Sequence, residues 1–79
     1  MMPGPLSKAL AAALKAAIKD QGIAQKDVAA KIGESPSQIS KYLSADTTLN
    51  VEELYAICRV LGLNAPEVLA AAIAAVPQP

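Results

Sequence analysis

Four hydrogen-bonding side chains fall within five consecutive positions near the middle of the chain: Ser37, Gln38, Ser40 and Lys41. Hydroxyls and carboxamides both donate and accept, and an ammonium donates only. Groups of this size suit base edges and phosphate oxygens in the major groove of a DNA duplex. Ile39, Tyr42 and Leu43 interleave with them. On a helix that spacing turns the polar groups outward and the apolar ones inward. The chemistry implied is non-covalent recognition of duplex DNA.

Covalent and metal chemistries lack their residues. The 79-residue chain has no histidine, so no Ser-His or Cys-His device exists. Glu52 and Glu53 are paired carboxylates, but adjacent helical residues point apart. No Gly-rich phosphate loop is present. Cys58 is the one cysteine. That excludes an internal disulfide, argues against zinc, and reads as a small buried hydrophobe. The expectation is a protein with no cofactor, no metal and no enzyme activity.

The elements that must position the polar group follow from periodicity and punctuation. Residues 1–5 read as a flexible Pro/Gly arm, 6–76 as one DNA-binding domain, and 77–79 as a C-terminal tail. Leu6, Leu10, Leu14 and Ile18 form the stripe of a first helix, over about 6–20. Gln21-Gly22 ends it. A second helix covers about 25–32, with Val28, Ala29 and Ile32 inward, and stops at Gly33. Ser35-Pro36-Ser37-Gln38 then starts a third, running to about Ser44. Ser35 caps it, Pro36 fits the first turn, and Gln38 can reach back to the cap. Asn50 with Glu53 starts a fourth helix to about Leu61, burying Val51, Leu54, Ile57, Cys58 and Leu61. Asn64 to Glu67 starts a fifth that ends before Pro77. Abundant alanine and leucine agree with an all-α fold, and there is no Phe or Trp.

Two short helices joined by a glycine turn make a helix-turn-helix from about Gln25 to Leu43. Ala29 is small where the helices nearly touch, and Gly33 sits where the turn wants positive φ. These residues resemble the lambda repressor-like helix-turn-helix family, the Cro-like or xenobiotic-response-element type. The resemblance includes Gln25, Ala29, Gly33, Ile39 and Ser40-Lys41-Tyr42. It continues through Leu49-Asn50-Val51-Glu52-Glu53-Leu54 and Ala56 to Leu63, and covers about residues 6–75. It implies a compact five-helix DNA-binding domain that usually works as a dimer.

The resemblance assigns roles residue by residue. Gln25, opening the second helix, would touch a backbone phosphate. Ser35 would cap the recognition helix and can also meet phosphate. Pro36, Ser37 and Gln38 would enter the groove. Lys41, one turn on, reaches a guanine or a phosphate. Ser40 is either a DNA contact or a solvated helix residue, and Lys26 and Lys31 are either groove-flanking or plain surface charges. Gln38 either reads a base or completes the capping box. The sequence departs from the family twice. Pro36 stands where a polar base reader is common and offers only apolar contact, for instance to a thymine methyl. Ala24 stands where Ser or Thr would cap the second helix.

Net charge is zero, yet unevenly spread. Lys8, Lys15, Lys19, Lys26, Lys31 and Lys41 outnumber Asp20, Asp27 and Glu34 in residues 1–44. Asp46, Glu52, Glu53 and Glu67 outnumber Arg59 beyond them. The basic half carries the recognition segment. The apolar run Val68 to Val76 is shorter than the roughly 20 residues a membrane span needs. No clean secretory signal opens the chain, so the expected setting is cytoplasmic. No seat for a small-molecule ligand is evident. The fifth helix, with Leu69 and Ile73, is either a homodimer face or the lid of its own domain. The expected function is a sequence-specific transcriptional regulator, a repressor of bacterial or phage origin. The alternative is a protein-interaction module of the same fold, antitoxin-like or regulator-binding.

Overall fold

The computed structural model describes residues 4–76, so the ends of the expected arm and the expected tail, residues 1–3 and 77–79, lie outside it. Five helices follow in order: α1 (Pro5–Gln21), α2 (Gln25–Ile32), α3 (Pro36–Leu43), α4 (Val51–Leu61) and α5 (Ala65–Ala75). No strand occurs among the described residues. Helix α1 begins at Pro5, one residue before the expected start, with Gly4 as its cap.

Local chemistry sets most of the ends. Gly22, Gly33 and Gly62 close α1, α2 and α4 in the left-handed region, which costs a glycine little. Ser35, Asn50 and Asn64 cap α3, α4 and α5, each accepting a backbone N–H three residues on. Ala24 caps α2 with no side-chain bond, as its methyl group requires. Gln38 makes no reciprocal bond to the Ser35 backbone, contrary to the capping-box expectation, and only its backbone N–H takes part.

One core holds the helices together. Leu10, Leu14 and Ile18 of α1 share one cluster with Val28 and Ala29 of α2, and Ile39, Tyr42 and Leu43 of α3. Leu54, Ile57, Cys58 and Leu61 of α4 and Ala72 of α5 complete it. Helix α2 packs on α3 and α4, and α5 lies on α1 and α4. Ala11, Ala29 and Ala72 are buried as well, small side chains that fill the interior beside the single aromatic ring of Tyr42.

Two core expectations fail. Leu6 is 37% exposed and Val51 is 81% exposed. Both stand in the first turn of their helices, where the neighbouring elements no longer cover them. Periodicity gives the face of a helix, not how far along it the neighbours extend. No single helix among the described residues is long and apolar enough to cross a membrane. Helices α4 and α5 together are apolar enough, but they are bent by 113°.

Candidate nucleic-acid interface

The turn before α3 decides where its side chains point. Gly33 takes φ 76° and ends α2. The Glu34 N–H then returns to the Ala29 carbonyl at 2.9 Å, closing the α2 terminus. Ser35 is extended, with φ −77° and ψ 150°, and its Oγ accepts the Gln38 N–H at 3.1 Å. The chain therefore re-enters a helix at Pro36, whose fixed φ and missing N–H suit that place.

Ile39, Tyr42 and Leu43 are buried and anchor one side of α3. Tyr42 is thereby a core residue. Pro36, Ser37, Ser40 and Lys41 are exposed. At 3.6 residues per turn these four share an arc of about 140°, opposite the anchors. Ser44 continues the strip, but its hydroxyl lies 2.9 Å from the Ser40 carbonyl and 3.1 Å from the Asp46 carboxylate. Both are acceptors, so its one proton is occupied within the chain. The Ser37 and Ser40 hydroxyls and the Lys41 ammonium have no partner among the described residues. Gln38 lies at the edge of the strip, half-buried, with its carboxamide unpaired.

Gln25 and Lys26 belong to a different element. They open α2, Gln25 half-buried and Lys26 exposed. Ala24 offers no side-chain cap, and its carbonyl accepts from the N–H groups of Asp27 and Val28. The Gln25 and Lys26 N–H groups are left open, a disposition that suits a phosphate oxygen. Helix α2 packs against α3. The structure thus gathers Ser35, Pro36, Ser37, Gln38, Ser40 and Lys41 on one short segment and puts Gln25 and Lys26 on the helix packed beside it.

Three features carried no clear sequence signal. The α3 terminus is held by Ala45 at φ 62°, with its N–H bonded to the Tyr42 carbonyl at 3.2 Å. The Asp46 N–H reaches the Lys41 carbonyl at 2.9 Å. Near the turn, Glu53 of α4 is half-buried, with Oε2 shut from solvent and unpaired. Burial pushes its carboxyl up, the negative charge of Glu34 adds to this, and a backbone hydrogen bond from Asn50 opposes it. Finally, Val51, Leu54 and Tyr55 of α4 and Ala65, Pro66 and Leu69 of α5 line an open apolar cleft of about 330 Å³. Arg59 lies over the hydroxyl end of Tyr55, donating to Oη at 3.3 Å. Ile73, one turn beyond Leu69, is 48% exposed.

Known proteins agree with this architecture. The model of the helix-turn-helix family matches residues 14–68. Two crystal structures of the clp gene regulator ClgR from Corynebacterium glutamicum are similar. One is 27% identical, with TM-score 0.83, over 94% of this chain and 96% of that one. The other is 28% identical, with TM-score 0.84, over 96% of this chain and 80% of that one. No curated protein matches the chain. A five-helix fold, a glycine-turned α2–α3 pair and a family match over more than two-thirds of the sequence lead to one conclusion: the chain belongs to the lambda repressor-like helix-turn-helix family.

Proposed function

We propose that this chain is a sequence-specific transcriptional regulator that binds double-stranded DNA, with α3 in the major groove. The observation that carries the reading is the exposed strip Pro36, Ser37, Ser40 and Lys41, held outward by the buried Ile39, Tyr42 and Leu43. Ser35 and Gln25 contact phosphates, Lys26 flanks the groove, and Gln38 reads from the strip's edge. Likeness to a named gene regulator of a bacterium supports the assignment and fits a bacterial origin. Repression by occupying promoter DNA is the simplest action for so small a domain, and it places the protein in the cytoplasm.

One copy has few cations to contribute and buries roughly 600–1,000 Å² on DNA, so it binds weakly alone. Two copies on half-sites about 34 Å apart bind strongly. Helix α5 uses Ala72 to close its own domain, while Leu69 and Ile73 stay partly exposed beside the α4–α5 cleft. A second copy seated there completes the regulator. Mobility shift against pooled random duplexes, followed by selection of bound sites, tests the reading. A recovered sequence preference supports it, and indifferent binding or none overturns it. The exchange Ile73→Glu should lower both dimer content in sedimentation and duplex affinity without unfolding the domain.

A second reading rests on that same cleft. An apolar surface with Val51 81% exposed also fits a heterologous protein. Under that reading the shift assay shows no duplex preference.

A further inference from the structure

The exposed strip of α3 contains one side chain that can neither donate nor accept a hydrogen bond, Pro36. Proline at a helix start needs no special explanation, because Pro5 and Pro66 occupy the first turns of α1 and α5. What distinguishes Pro36 is its place at the head of a strip of hydroxyls. Its neighbours on that face, Ser37 and Ser40, are among the shortest polar side chains. With α3 in the major groove, short side chains let its backbone lie close to base edges, which brings the exposed pyrrolidine ring toward them. The ring is rigid, its nitrogen bears no hydrogen, and it makes no use of a phosphate. Its partner in the groove is therefore apolar. The C5-methyl group of thymine is the apolar group that base pairs present in the major groove.

We infer that Pro36 is a specificity-determining residue that reads the 5-methyl group of one thymine in each half-site. The inference rests on the duplex-binding reading above. Ser40 lies one helical turn, about 6 Å, beyond Pro36. The thymine therefore lies within about two base-pair steps of the pair that Ser40 meets. The methyl contact sets sequence preference, and the phosphate contacts of Gln25 and Lys26 set register.

The test uses the duplex recovered by site selection, with thymidines replaced one at a time by deoxyuridine. That exchange removes the methyl group and leaves every hydrogen-bonding group in place. One position per half-site should lose about four-fold in affinity, the size expected for exposing one methyl group. The variant Pro36→Ser should bind the thymidine and deoxyuridine duplexes equally at that position, with helicity unchanged by circular dichroism. A merely structural role for Pro36 would lower affinity for both duplexes alike. Three results overturn the inference: no position responds in the parent, the responding position still responds in Pro36→Ser, or only a uniform loss appears. Failure to recover any preferred duplex is a different result, and it overturns the DNA-binding reading itself.

Discussion

Gln21, the last residue of α1, donates its side-chain amide to the carbonyl of Leu61, the last residue of α4, at 2.7 Å. The two helices each run into a left-handed glycine one residue later, Gly22 and Gly62. A helix end leaves carbonyls without intrahelical partners, and here one helix supplies the donor for the other. The bond ties together two stretches 40 residues apart and fixes α1 against α4, the two helices on which α5 lies.

Removing that donor should therefore loosen the whole domain. Gln21→Ala is expected to lose about 1 kcal/mol, the usual worth of one such bond. For a domain this small that means a fall in Tm of about 4–8 °C. Thermal melting followed by circular dichroism measures it. An unchanged Tm would mean that water serves the Leu61 carbonyl equally well.

The opposite sign is expected at Ala45. Its φ of 62° is a backbone conformation in which a Cβ crowds the following carbonyl. Ala45→Gly removes the crowding but gives the unfolded chain more freedom, so the net gain is about 0.5–1 kcal/mol. Duplex affinity should hold or improve, because Ala45 follows the proposed interface strip and adds no side chain to it. A lower Tm for Ala45→Gly would show that the strain assigned to this residue is absent.

Glu53 predicts a pH dependence. Burial raises its carboxyl in the folded chain above the ordinary value of 4.5, and Glu34 reinforces the shift. The folded state thus holds the proton more tightly than the unfolded state. Stability from this group is fully present below 4.5 and is lost as pH rises through the raised folded value. The exchange Glu53→Gln keeps an acceptor for the Asn50 backbone and abolishes the charge. It should melt above the parent at pH 7, with the gap closing as pH falls below 4.5. A gap that persists at pH 3.5 would have to come from packing rather than charge.

The contrast between these residues and the exposed strip of α3 shows what a sequence can disclose. Helix α3 was legible because its signals are local: Gly33, Ser35 and Pro36 stand next to one another and each has a conformational reason. The bounds of α2 and α4 matched for the same reason, set by Gly33, Asn50 and Gly62. The burial of Leu6 and Val51 was misread because neighbouring elements stop short of both helix starts. Gln21 read as part of a helix stop, and its bond to Leu61 has no local signature. The α4–α5 cleft is likewise a product of tertiary packing. Within the candidate site, the placement of the segment from Ser35 to Lys41 along one cap and helix was readable. Its neighbour at Gln25 and Lys26 depends on how α2 packs against α3.

Lys41 and Gln38 should separate two parts of the proposed interface. The Lys41 ammonium is exposed and unpaired, at the far end of the strip from the helix start. A lysine in that place neutralises a phosphate and releases a counterion. Lys41→Ala should therefore reduce the slope of log affinity against log salt by about 1, with the preferred sequence unchanged. Lys41→Arg should restore the slope. Gln38 carries no charge and lies half-buried, with its carboxamide unpaired. Gln38→Ala should leave the slope alone and weaken discrimination at one base pair by about 1–3 kcal/mol. Titrations at several salt concentrations, on the selected duplex and on single-base variants, measure both. A parental slope in Lys41→Ala would place the ammonium away from the backbone. Unchanged discrimination in Gln38→Ala would leave base reading to Pro36, Ser37 and Ser40.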